Sequence, residues 1–123
     1  MITRKNMSPC PVGLLLQVIG NKWKVLIIRD LLTGTKRFGM LKKSVGCSQK
    51  VLTDNLRMLE EDRLITRKVY AEVPPKVEYS LTETGQSLKP VLDAMMYWGI
   101  EYQKTHIAQA AQNKISGEGE NHD

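Results

Sequence analysis

The segment FGMLKKSVGCSQKVLTDNLRMLEE, residues 38–61, predicts two short helices joined by a tight turn. Phe38, Leu41 and Val45 recur at helical spacing, so we expect the first helix to direct them inward. A Gly-Cys turn follows, and Ser48 is placed to cap the second helix because its hydroxyl can accept an otherwise unpaired backbone N–H. Two short helices around a tight turn form a helix-turn-helix pattern.

The two sides of the second helix differ in chemistry. One side is apolar and consists of Leu52, Leu56 and Leu59. The other side starts at the cap and carries polar and basic side chains: Ser48, Gln49, Lys50, Thr53 and Arg57. An α-helix fits the major groove of B-DNA, where glutamine pairs with adenine, lysine or arginine with guanine, and threonine with a base or a thymine methyl. The pattern therefore predicts a helix that reads DNA.

Beyond this helix the hydrophobic period changes to nearly two, which indicates a β-hairpin. The predicted strands are Ile65–Ala71 and Lys76–Leu81, and two prolines in the connection mark a turn or loop. A hairpin directly after a helix-turn-helix is a wing. Its basic residues are expected to reach the neighbouring minor groove or its phosphates, and they are Arg67, Lys68 and Lys76.

Two further helices are predicted before the helix-turn-helix. The first runs from about Val12 to Ile19 and is stopped by Gly-Asn. The second runs over Lys22–Leu32, and spacings of three and four are expected to place several apolar residues on one face. These residues are Trp23, Leu26, Ile27 and Leu31.

The last predicted element begins near Thr82, a second N-cap, and runs to about Gln112, with Pro90 either bending it or marking a break. A helix of roughly 20 residues is about 30 Å long, which exceeds what so small a core can cover. A homodimer is the simplest partner, and a helix packed across its own domain is the alternative. The residues expected to form the dimer contact are Val91, Met95, Trp98 and Tyr102.

Composition fits one globular domain, over residues 1–112, followed by a polar, glycine-rich tail, 113–123, that we expect to be disordered. The formal net charge is +5, and residues 36–76 carry ten bases against five acids. Such a concentration suggests a polyanion partner, although an ordinary solvated surface is the alternative. The bases expected to touch the DNA backbone are Lys36, Arg37, Lys42 and Lys43.

Several other classes of protein are disfavoured by the sequence. No apolar run is long enough to span a membrane, and the start does not resemble a secretory signal. Two cysteines without an export signal favour a reducing cytoplasm. His106 and His122 lack metal-ligand spacing, and no catalytic motif is present. We therefore expect no enzyme, no metal and no cofactor.

Short sequence motifs between residues 10 and 102, taken in their order and spacing, resemble those of the HxlR family of bacterial winged-helix regulators. That family is related to the multiple-antibiotic-resistance (MarR) type. The motifs are Cys10-Pro11-Val12, Gly20-Asn21-Lys22-Trp23, Arg37-Phe38-Gly39, Ser48-Gln49-Lys50-Val51-Leu52-Thr53, Leu56-Arg57-Met58-Leu59-Glu60, Pro74-Pro75-Lys76-Val77-Glu78-Tyr79, Leu81-Thr82-Glu83-Thr84-Gly85 and Trp98-Gly99. The resemblance implies a mainly α fold with a small β-hairpin, a winged helix-turn-helix that dimerises through its terminal helices. It also implies a transcription regulator that binds a palindromic operator. The competing class is a winged-helix scaffold that binds proteins and not DNA.

The resemblance also draws attention to the two cysteines, because some family members sense electrophiles or oxidants through a cysteine near the start. Cys10 matches that position and is therefore expected to be a sensor thiol; the alternative is a small buried apolar residue. Cys47 directly precedes the DNA-reading helix. Its oxidation, or its pairing with Cys10 of a second subunit, would disturb DNA docking, whereas core filling is the alternative. A small-molecule effector is the other expected type of signal.

Two positions depart from the family pattern. Cys47 stands where an aliphatic residue is more usual, and Arg63 stands where a glycine usually closes the helix. Arg63 is therefore expected either to adopt a left-handed backbone conformation at some cost or to belong to a helix that ends differently.

Overall fold

The computed structural model describes the backbone of residues 1–115 and the side chains of residues 1–107. The chain divides into two compact units, Met1–Lys89 and Pro90–Asp123. The elements of the described residues are α1 (Pro11–Ile19), α2 (Lys22–Leu31), β1 (Lys36–Arg37), α3 (Phe38–Val45), α4 (Gln49–Glu61), β2 (Ile65–Tyr70), β3 (Lys76–Leu81), α5 (Glu83–Gln86) and α6 (Lys89–Ile115).

The predicted helix-turn-helix is present as α3, a turn and α4. The helix α3 ends at Gly46, which has the left-handed backbone (φ 77°) that glycine adopts most easily. As predicted, Leu41 and Val45 are buried, whereas Phe38 is half-buried. The apolar side of α4 is also buried as predicted, through Leu52, Leu56 and Leu59.

The inward face of α2 differs from the prediction. Trp23 and Leu26 are only half-buried. The buried residues of the helix are Lys24, Ile27, Ile28 and Leu31. The buried side of α2 is thus rotated from the predicted one and includes a lysine. Lys24 can occupy it because the aliphatic stem of a lysine packs against apolar surface much as an apolar side chain does.

A polar link between exposed Asn21 and buried Asn55 joins the start of α2 to α4. The Asn21 side chain caps α2 by accepting a hydrogen bond from the Lys24 backbone N–H at 2.9 Å. The Asn21 amide also donates to Asn55 Oδ1 at 3.0 Å, and Asn55 in turn donates to the backbone oxygen of Val51 at 2.7 Å. Asn55 is buried, and this link pairs both groups of its amide.

The sheet has three antiparallel strands in the order β1-β3-β2. The hairpin register runs from Ile65 opposite Leu81 to Tyr70 opposite Lys76, so the first strand ends one residue before the predicted Ala71. The strand β1, which the sequence does not predict, pairs Lys36 with Tyr79 of β3. A two-residue strand has no period of its own, since only pairing with β3 defines it.

The corner between α4 and β2 is held by hydrogen bonds. Arg63 has φ 63°, so the left-handed conformation expected from the missing glycine is observed. The Thr82 hydroxyl donates to the backbone oxygen of Arg63 at 2.7 Å and accepts from the Gly85 backbone N–H at 3.0 Å. Thr82 is thus the N-cap that the sequence predicts, but it caps the short helix α5.

The terminal element is therefore two helices and not one. Helix α6 begins at Lys89, and Pro90 lies in its first turn, where a missing backbone N–H has no helical partner to lose. The helix continues past the predicted end, Gln112, to Ile115. From residue 116 onward the predicted disordered tail lies outside the described residues.

Candidate nucleic-acid interface

The exposed side of α4 is formed by the residues that the sequence singled out. The Ser48 hydroxyl accepts a hydrogen bond from the Val51 backbone N–H at 3.2 Å, so the predicted N-cap is present. The residues of this side are all exposed, and we call them the recognition face: Ser48, Gln49, Lys50, Thr53 and Arg57. Burial of the three leucines on the opposite side fixes the direction in which this face points.

An acidic residue lies within the recognition face and was not singled out from the sequence. Lys50 Nζ lies 2.9 Å from Asp54 Oδ2, and Arg57 Nη2 lies 3.5 Å from Asp54 Oδ1. The hydrogen bond from Lys50, helped by the charges of Lys50 and Arg57, holds the pKa of Asp54 below its usual value. Arg57 Nε also lies 3.9 Å from a carboxylate oxygen of Glu61. The spacings of three and four residues are the sequence signal that would have found these pairs.

The bases expected to touch the DNA backbone flank the helix-turn-helix. Lys36 is half-buried and Arg37 is exposed, and both belong to β1. Lys42 and Lys43 are exposed in the last turn of α3, where positive charge is favourable near the helix C-terminus.

The wing places its bases around an aromatic ring. Arg67 is exposed, and the Lys68 and Lys76 ammonium groups each lie 4.9 Å from the centre of the Tyr70 ring. Lys76 Nζ also lies 3.4 Å from Glu78 Oε2. A hydrogen bond from Tyr70, followed by the charge of Lys76, lowers the pKa of Glu78. Tyr70 and Glu78 therefore position two bases of the wing, although the sequence analysis assigned them no role at the site.

A groove of about 290 Å³ runs between α4 and the sheet. Its lining residues are Thr53, Leu56, Arg57, Glu60, Arg67 and Tyr79. The fold thus brings Arg57 of the recognition face and Arg67 of the wing to one groove, although the two lie on different elements.

The two thiols differ in environment. Cys10 is the N-cap residue of α1, but its side chain makes no capping hydrogen bond and is exposed, so the alternative of a buried apolar residue is wrong. Its backbone N–H donates to Ser8 Oγ at 3.2 Å. Cys47 is half-buried in the turn between Gly46 and the capping residue Ser48.

The second unit exposes large apolar side chains along α6. Of the residues expected to form a dimer contact, Val91 is half-buried, whereas Met95, Trp98 and Tyr102 are exposed. The rings of Trp98 and Tyr102 stack with their centres 4.9 Å apart, and His106 stacks on Tyr102 at 3.8 Å. Other exposed apolar residues of this helix are Met96, Tyr97, Ile100 and Ile107.

Two other kinds of feature, a metal-ligand cluster and a membrane-spanning helix, were considered for the described residues. No group of three His, Cys, Asp or Glu side chains comes together there in a way that could hold a metal ion. No single helix in this part of the chain is long and apolar enough to cross a membrane; α1 and α2 pass that test only as a pair bent by 80°.

Comparison with known proteins identifies the family. A model of the HxlR-like helix-turn-helix matches residues 18–107. The chain is 46% identical over 111 residues to the HTH-type transcriptional regulator YdeP of Bacillus subtilis (strain 168), which covers 86% of this chain and 87% of YdeP.

Solved structures agree with that assignment. The redox regulator HypR in its oxidised form has 45% sequence identity and a TM-score of 0.71, covering 75% of this chain and 96% of HypR. The reduced form of HypR has 41% sequence identity and a TM-score of 0.75, covering 80% of this chain and 99% of HypR. The fold is a winged helix-turn-helix, and the chain belongs to the HxlR-like helix-turn-helix family of DNA-binding transcriptional regulators.

Proposed function

We propose that this regulator reads a palindromic operator as a homodimer and that the recognition face lies in the major groove. The observation that carries the proposal is the exposure of the whole recognition face on a helix whose opposite side is buried. Gln49 and Thr53 supply hydrogen-bonding groups, and Lys50 and Arg57 supply positive charge, as contacts to base edges and phosphates require.

The wing and the flanking bases extend the same surface. Arg67 lines the same protein groove as Arg57. A duplex that receives α4 in its major groove therefore also meets the wing. We assign phosphate or minor-groove contacts to the wing bases Arg67, Lys68 and Lys76, and backbone contacts to the flanking bases Lys36, Arg37, Lys42 and Lys43. Phosphate contacts of this kind position a protein on DNA without reading its sequence.

The homodimer is supported by the exposed apolar side chains of α6. Trp98 is 65% exposed and Tyr102 is 49% exposed, and large aromatic side chains are the residues that most often dominate protein interfaces. A two-fold dimer presents two copies of α4 to two half-sites, which is why the operator should be palindromic.

The regulatory signal we propose is oxidation of thiols, with a small-molecule effector as the alternative. Cys10 is exposed, and Cys47 adjoins the cap of α4. An oxidant such as diamide would take two electrons and two protons from the thiols of Cys10 and the partner subunit's Cys47, and an S–S bond would form. The new bond would pull on the backbone at Cys47, directly before Ser48 at the start of the recognition face. That HypR is named a redox regulator supports this proposal.

Fluorescence anisotropy tests the DNA-binding proposal. The reduced protein is titrated onto the duplex upstream of its own gene and onto a scrambled duplex, at two salt concentrations. We expect selective binding that weakens with salt, because phosphate contacts release counterions. Arg57→Ala should reduce binding about tenfold or more, whereas Lys104→Ala, an equal charge change on α6, should not. Equal binding of both duplexes by the wild type contradicts self-regulation, and no binding to either duplex at low salt favours the protein-binding scaffold.

The thiol proposal has its own test. Diamide should weaken operator binding and produce a covalent dimer on a non-reducing gel. Both effects should be absent in Cys10→Ser and in Cys47→Ser, because each variant lacks one of the two sulfurs. Equal loss of operator affinity in oxidised wild type and oxidised Cys10→Ser would show that Cys10 is not the trigger.

A further inference from the structure

The recognition face contains a carboxylate at a point where DNA would bring many negative charges. Asp54 lies four residues after Lys50 and three before Arg57, so its side chain projects between theirs. Each of its two oxygens faces a different cation, at 2.9 Å and 3.5 Å. Both cations proposed to touch DNA from α4 are therefore paired with one acid of the same helix.

These ion pairs are accessible to DNA. The side chains of Lys50 and Arg57 are 84% and 67% exposed, and that of Asp54 is 37% exposed. Pairs so exposed contribute little to folding stability, because water and salt screen them. When a duplex covers the helix, water leaves, and a carboxylate facing phosphates without a hydrogen-bond donor becomes costly.

We propose that Asp54 determines sequence selectivity: it opposes docking on any duplex except one that places a cytosine amino group opposite its carboxylate. A carboxylate in the major groove accepts a hydrogen bond from the N4 amino group of cytosine, and no phosphate can replace that donor. On other sequences Lys50 and Arg57 must leave Asp54 for phosphates while the carboxylate loses its partners. This inference rests on the proposed operator binding and assigns to one residue the rejection of wrong sequences.

The variant Asp54→Asn tests the inference. It keeps the size of the side chain, removes its charge and frees Lys50 and Arg57 from their pairs with Asp54. We expect affinity for a scrambled duplex to rise about tenfold while operator affinity changes less, so that selectivity falls. The logarithmic salt dependence should become steeper by about one to two, because each additional phosphate contact adds about 0.9 to the slope.

The matched control is Glu83→Gln, which removes an equal charge from an exposed position on α5, outside the recognition face and the groove beside it. Glu83 takes part in none of the ion pairs of Lys50 and Arg57. It should leave selectivity near the wild-type value, and circular dichroism should show that both variants fold.

Selection of duplexes from a randomised library, run in parallel for the three proteins, gives the most direct measurement. Wild type and Glu83→Gln should both select a cytosine at one position of each half-site, and Asp54→Asn should lose that preference alone. If the wild type selects an operator and Asp54→Asn selects the same one with equal stringency, this inference is wrong and the proposed function stands. If the wild type selects no sequence, the proposed function fails, and the inference fails with it.

Discussion

The helices α4 and α6 expose side chains of opposite character. Helix α4 buries its apolar side and presents polar and charged side chains outward, whereas α6 leaves large apolar side chains exposed from Met95 onward. The outward side of α4 fits a polyanion, and the exposed side of α6 fits an apolar surface. The comparison teaches that what a helix exposes, more than what it buries, indicates the partner of a small regulator.

The largest expected effect tests whether the two helices differ as described. Leu59→Ala on α4 should lower the free energy of unfolding by about 2–5 kcal/mol, because the side chain is fully buried and its removal leaves a cavity. Met96→Ala on α6 should change it by less than about 0.5 kcal/mol, because that side chain is 56% exposed. Urea denaturation in dilute solution measures both. Equal losses would mean that folding alone covers the apolar side chains of α6.

The next effect tests the proposed partner of α6. Trp98→Ala should raise the dissociation constant of the homodimer about 30-fold or more, because an aromatic side chain at the centre of an interface often contributes 2 kcal/mol. Analytical ultracentrifugation of reduced protein measures the constant. Lys104→Ala, exposed on the same helix, is the control. An unchanged constant for Trp98→Ala would place the dimer contact elsewhere.

A smaller effect measures how firmly the start of α4 is fixed. Ser48→Ala should lower the free energy of unfolding by about 1 kcal/mol, because the Val51 N–H loses its acceptor. Cys10→Ala is the matched change at the N-cap of α1, and it should cost clearly less because Cys10 makes no side-chain capping bond. Thermal unfolding of reduced protein compares the two. A greater loss for Cys10→Ala would contradict the exposed position of that thiol.

The smallest effect concerns the wing. Because the folded-state pKa of Glu78 is lowered, its ionised form stabilises the fold at neutral pH, and that stabilisation is lost as pH falls below the ordinary value of 4.5. The difference in unfolding free energy between wild type and Glu78→Gln should therefore become smaller as the pH falls below 4.5. Lys76→Ala removes one partner and should reduce the same pH dependence. A difference that stays constant with pH would show that the charge of Glu78 is not its source.

Most of the fold was predictable because its helices carry local signals. Ser48 caps α4 as predicted, and Thr82 caps a helix, although a shorter one than predicted. Of the two alternatives for Arg63, the left-handed backbone is the one observed. What failed depends on tertiary contacts. The strand β1 exists only through its pairing with β3, and the burial of Lys24 in place of Trp23 depends on how α2 packs in the core.

The candidate site shows the same division. Helical spacing was enough to predict that Gln49, Lys50 and Thr53 share an exposed side, and the structure shows all three exposed. Acidic residues entered the prediction only through net charge, so the pairing of Asp54 was missed. Its spacing of four residues from Lys50 and three from Arg57 was nevertheless a sufficient signal. The exposure of Cys10 was not predictable, because an N-cap position fixes the backbone and not the surroundings of the side chain.

The link between Asn21 and Asn55 has a consequence for the number of ways in which the chain can pack. Leucines on α4 would meet an apolar neighbour almost as well if the helix slid by one turn, since dispersion contacts have little direction. A slid helix would leave Asn55 among apolar side chains without its partner, which is costly. One directional pair thus excludes near-equivalent arrangements that hydrophobic burial alone would tolerate. The pair therefore favours one angle at which this regulator presents α4.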